Sequence, residues 1–148
     1  MTKKNVKKDA LIEINSTQCY EGAEPEEINL VTQGKLYRKN GKYYIAYEES
    51  ELTGLEDTKT VVKIAEGDVF MTRTGKYPSE MLFSENKRHV GLYHTGYGAL
   101  EIATHTSRIV NGVNENGGIL QLDYTVEIDH NVAGYNHFEL AVVCQNDE

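Results

Sequence analysis

Arg73, Glu49 and His94 are the residues of this sequence whose types suit work on a small molecule, with Tyr43, Tyr47 and Tyr124 as companions. A guanidinium grips a carboxylate or phosphate through two parallel hydrogen bonds. An imidazole donates one, and a phenol offers a flat apolar face tipped by a hydroxyl. Gathered in one pocket, these side chains would bind a small, partly apolar molecule carrying an anionic group. A rival reading makes Glu49 or His94 a general base while Arg73 holds substrate charge, as in hydrolysis or isomerisation of a small anion. A purely structural role competes with both, because strand-end charges face water at a rim and Glu49 and Arg73 can pair across it.

No spacing supports catalysis. The chain has no GxGxxG, P-loop, GxSxG elbow or HExxH, and no histidine stands with Cys or Asp at metal or triad spacing. His89, His94 and His105 are close enough to suggest zinc, but strand alternation splits them between faces, with only His94 inward. No catalytic residue, metal site or cofactor is expected. Glu48-Glu49-Ser50-Glu51 also alternates faces and reads as a solvated acidic rim. Cys19 and Cys144 lack a CxxC partner and a secretory context, so both are expected reduced.

The elements that must position these groups are strands. Period-two alternation recurs throughout; Leu120, Leu122, Tyr124, Val126 and Ile128 alternate with polar neighbours. Strands are expected over 9–19, 27–38, 43–50, 58–65, 68–74, 79–84, 87–95, 98–110, 118–128 and 137–145. Short strands at near-regular spacing with no covering helix predict a single antiparallel up-and-down barrel of 8–10 strands, with a Greek-key sandwich as the alternative. Asn40-Gly41 calls for a two-residue hairpin pairing Leu36 with Ile45 and Gly34 with Tyr47. Glu66-Gly67 pairs Thr60 with Arg73, and Glu85-Asn86 pairs Phe83 with Arg88. An odd-numbered loop around residues 96–97 sets Val90, Leu92 and His94 on the inner face. Arg88 then plugs the closed end, its stem on Phe83.

In such a meander, connections alternate between the two ends. Tight turns fall at one end with the stretch 111–117. The other end carries residues 20–26, 51–57, 75–78, 96–97 and 129–136, and Glu49, Arg73 and His94 all end strands that run toward it. Ligand sites favour barrel mouths framed by long loops, and a connected cavity above about 300 Å³ would favour binding.

Charge narrows the partners. The formal balance is −8; residues 1–8 hold four lysines and no acid, leaving 11 basic against 23 acidic groups, or −12, in residues 9–148. Residues 1–8 read as a lysine-rich tail and the remainder as one domain. So acidic a body repels phosphate backbones and anionic lipid, so neither nucleic acid nor membrane is expected as a partner. No apolar run approaches a membrane span, which predicts a soluble cytoplasmic protein. Outward Val31, Tyr37, Tyr44, Val61 and Phe70 would suit a homodimer or interaction module instead.

Gly34-Lys35-Leu36-Tyr37, the run from Tyr47 to Gly54, Arg88-His89 and the run from Thr95 to Glu101 carry a resemblance that extends nearly end to end. On these residues the chain resembles the YwiB-like family of bacterial proteins. The resemblance implies a small calycin-like barrel related in shape to lipocalins and fatty-acid-binding proteins, and brings no activity with it. The Gly-x-Trp signature of lipocalins is missing, since the chain has no tryptophan.

Overall fold

Alternating residues close into a wall with one dry face. A computed structural model describes residues 7–20, 22–53, 55–95 and 98–145, without the side chains of residues 52, 93–95 and 98. The strands are β1 (Lys7–Tyr20), β2 (Glu26–Lys39), β3 (Lys42–Glu48), β4 (Thr58–Ala65), β5 (Asp68–Gly75), β6 (Ser79–Ser84), β7 (Arg88–Thr95), β8 (Gly98–Asn111), β9 (Gly117–Ile128) and β10 (Asn131–Cys144). One turn of 3-10 helix, Glu51–Thr53, follows β3. Each strand pairs with its neighbours in sequence and β1 pairs with β10, closing the expected antiparallel barrel. β1 takes in Lys7 and Lys8 of the expected tail.

The interior is filled along most of its length. Ile12, Ile45, Val62, Phe83, Leu122 and Leu140 are fully buried. Two hairpins fix the registers of β2 with β3 and of β4 with β5 as expected. Asn40 and Gly41 both adopt positive φ, 53° and 79°, as a type I′ turn demands, and Gly34 faces Tyr47. Thr60 likewise faces Arg73.

Gly34 shows how tightly the wall bends. A Cβ there would lie 2.4 Å from the Ala46 carbonyl oxygen and 2.9 Å from Ile12 Cγ1. The oxygen belongs to backbone and cannot swing aside. Gly34→Ala is therefore expected to destabilise the barrel by about 1–3 kcal/mol, as overpacking does, read as a lower urea midpoint.

Three expectations fail. Glu85-Asn86 does not form a two-residue hairpin: Asn86 alone has positive φ, 62°, and its N–H donates to the Thr106 carbonyl at 2.7 Å, tying the turn to β8. Ser79 consequently faces Tyr93, one residue out of the expected parity. β7 and β8 join through residues 96–97, an even-numbered loop, with Thr95 facing Gly98. Val90 and Leu92 accordingly lie on the outer face, 52% and 54% exposed. Arg88 leaves the interior with them, and its Nε and Nη2 donate to Glu127 at 3.3 and 3.2 Å. These hydrogen bonds hold the Glu127 carboxyl below the usual carboxylate range. The expected loop 129–136 is instead the start of β10, entered through Asp129 and His130, both at positive φ. The long-loop end is thus less lopsided than the sequence suggests, and residues 49–57 are its largest connection.

Candidate functional site

Register brings Glu49 and Arg73 together. Tyr47, Thr60 and Arg73 face one another in series across β3, β4 and β5, and Glu49 follows β3 directly, its N–H bonded to the Thr58 carbonyl at 2.8 Å. Alternation turns Tyr47 and Glu49 to the same side. The carboxylate is 2% exposed and lies 3.5 Å from Arg73 Nε, whose side chain is 12% exposed. A charge so dry must be matched by donors. The Thr60 hydroxyl donates to Glu49 Oε2 at 2.5 Å, and the Thr53 hydroxyl to Oε1 at 2.9 Å. Thr53 arrives on the 3-10 turn, so the largest loop at this end is fastened to the buried acid.

Tyr47 lies beside the pair. Burial pushes its phenol above the usual range, the negative charge of Glu49 adds to this, and Arg73 partly opposes it. The hydroxyl thus keeps its proton at any working pH.

A cavity of about 220 Å³ lies between this cluster and the facing wall. Tyr47, Glu49, Thr53 and Arg73 bound one side; Ser16, Gln18, Tyr124 and Phe138 bound another. Tyr124 is held by Phe83, ring centroids 4.7 Å apart and tilted by 55°. The volume falls short of the roughly 300 Å³ that would favour binding, so the cavity admits a small molecule at most.

Of the expected site residues, Glu49, Arg73, Tyr47 and Tyr124 line this cavity. Tyr43 does not. It is the second residue of β3, near the Asn40-Gly41 turn and about 13 Å along the strand from Tyr47, and stacks under Arg38. His94 faces Ala99 by backbone register, and its side chain lies outside the described residues. Thr53 and Thr60 were not legible as partners. Their hydroxyls matter only because a loop folds back and a neighbouring strand stands in register.

One histidine does meet an aspartate in space, though not in a metal or nucleophile array. His137 Nδ1 lies 2.5 Å from Asp123 Oδ1 across β10 and β9, a contact that linear spacing hides. It sits on the outer wall, 42% and 31% exposed, in a groove with Thr17 and Cys19. His89 Nε2 lies 3.1 Å from Ser84 Oγ, and that hydroxyl donates to Asp68 at 2.7 Å. The serine proton already points at the carboxylate, so the imidazole must donate, and the array cannot activate a nucleophile. No cluster of three or more His, Cys, Asp or Glu suited to a metal occurs among the described residues. Nor is any described helix long and apolar enough to cross a membrane.

The outward aromatic residues are partly consumed by one another. Tyr37 and Tyr44 stack at 4.9 Å, and Lys63 lies over both Tyr44 and Phe70. Val31 remains 58% exposed.

Comparison with known proteins bears on fold more than chemistry. Residues 12–140 match the family described as a domain of unknown function, DUF1934. The chain is 30% identical over 103 residues to the uncharacterized β-barrel protein YwiB of Bacillus subtilis (strain 168), covering 70% of this chain and 71% of that protein. A crystal structure of YwiB from Bacillus subtilis is similar with a TM-score of 0.84 at 23% identity, over 95% of this chain and 94% of that one. The likeness establishes the barrel.

Proposed function

The chain belongs to the DUF1934 family, whose description names no ligand or reaction, and from its residues we propose that it is a soluble cytoplasmic protein that binds a small, partly apolar anion in the mouth of the barrel. The observation that carries this reading is a nearly dry guanidinium lining a cavity whose other walls include Ile14, Ile28, Met71 and Phe138. Glu49 fixes the Arg73 side chain beside the cavity. Apolar walls shield that charge from water, which strengthens its attraction for a carboxylate. Tyr47 supplies a neutral hydroxyl and Tyr124 a ring face.

Nothing in the reading requires catalysis. The candidate base Glu49 already accepts hydrogen bonds from Thr53 and Thr60. The test is mass spectrometry of small molecules released on denaturing the purified protein, combined with calorimetric titration of short-chain carboxylates. An organic acid released from the wild type but not from Arg73→Met is expected. Absence of any bound acid, with no heat on titration, would remove the proposal.

A homodimer is the second reading, favoured by Leu11, Val31, Ile119 and Val143 on the outer face, each 37% to 58% exposed. Light scattering across protein concentration distinguishes it, since a monomeric mass throughout excludes it.

A further inference from the structure

The outer wall carries a groove of about 690 Å³ across β5 to β8, roomier than the cavity in the lumen. Register lines up its residues. Thr72 faces Glu80; Ser79 faces Tyr93, which sets Glu80 beside Leu92; and Leu92 faces Glu101, so one outward row reads acid, aliphatic, acid. Leu92 and Val90, two positions apart on β7, are 54% and 52% exposed, and both line the groove with the two glutamates. Aliphatic side chains so bare are stabilised by being covered. Ser79 also lines the groove at the Glu80 end, and its hydroxyl, in a residue 4% exposed, has no hydrogen-bond partner. A buried polar group in that state is one an occupant can satisfy.

Charge decides what covers this row. The neighbouring cations are engaged elsewhere, since Arg73 lies against Glu49 and Arg88 donates to Glu127. His130, 78% exposed and 3.4 Å from Glu101, competes for that carboxylate only when protonated. Within a body so acidic overall, an anion is repelled from the groove and a cation is drawn to it. We propose that the groove binds a linear aliphatic diamine, with its methylenes laid over Val90 and Leu92 and one ammonium at each glutamate. β6 and β8 stand on either side of β7, two strand spacings or about 9–10 Å apart, and an extended chain of about six to eight methylenes separates its two nitrogens by that length. A shorter diamine reaches one carboxylate at a time. The site is separate from the lumen, and neither reading depends on the other.

The experiment is a titration of the isotope-labelled protein with hexamethylenediamine, hexylamine and ethylenediamine at low ionic strength, followed by amide NMR shifts. Hexamethylenediamine is expected to move the amides of Glu80, Val90, Leu92 and Glu101, and to bind about two- to five-fold tighter than either other amine, the size of one further exposed charge contact. In Glu80→Gln and in Glu101→Gln its advantage over hexylamine should vanish. Glu24→Gln, at an exposed acid outside the groove, should leave that advantage intact. All three carboxylates reach solvent, so these substitutions leave folding little changed. Equal affinities for the three amines, or an advantage that Glu24→Gln also removes, would reveal diffuse attraction to an acidic surface and overturn the proposal. Shifts that miss those four amides would overturn it as well.

Discussion

Arg73→Met is expected to lower folding stability by about 3–5 kcal/mol, the penalty for leaving a buried charge without its partner. Glu49 is the group left behind, with a side chain 2% exposed and the hydroxyls of Thr53 and Thr60 still bonded to it. The same arithmetic predicts a partial rescue. Glu49→Gln together with Arg73→Met removes both charges and keeps an amide that the two threonines can address, so the double variant should be more stable than Arg73→Met alone. Urea midpoints of the four proteins in the cycle measure the coupling. Additive losses would mean that the ion pair contributes nothing beyond its separate residues, and Arg73 would then lose its place as the anchor of the site.

Phe83→Ala should be as damaging, at about 3–5 kcal/mol, because a fully buried aromatic ring leaves a void that a bent wall fills poorly. Its consequence extends to the cavity. Phe83 is the ring against which Tyr124 is tilted, and without it the tyrosine face that lines the pocket loses its support. Carboxylate titration of Phe83→Leu, which retains much of the volume, should show weaker binding with a smaller stability loss. Undiminished affinity in that variant would show that the ring of Tyr124 takes no part in binding.

Much of this molecule is legible in its sequence where glycine marks the corners. Asn40-Gly41 and Glu66-Gly67 fix the registers of β2 with β3 and of β4 with β5, and the meeting of Thr60 with Arg73 follows from counting back along the strands. Legibility ends where the turn chemistry is supplied from elsewhere. The connection after β6 has no glycine, and its conformation is set by Thr106, about twenty residues further on, which slips β7 by one position. Asp129 and His130 form a tight turn in positive φ without any glycine, so the start of β10 reads as a loop. That error left residues 131–136 outside any expected strand. Gly134 adds to it, resembling a breaker, whereas it admits the Cys19 carbonyl to within 2.4 Å of where a Cβ would stand. The Thr53 hydroxyl was invisible for a related reason, since a threonine on a loop has no periodic pattern to reveal what it faces.

The seam between β1 and β10 carries eleven paired positions, from Ala10 with Cys144 to Tyr20 with Gly134. Those partners leave the ribosome more than a hundred residues apart, so during synthesis the first strand waits with one edge bare until the tenth emerges. An uncovered edge is a template for association with other chains, and contacts so distant in sequence form slowly. Nascent chains of this protein are therefore most vulnerable late in translation, when nine strands are available and the barrel still cannot shut.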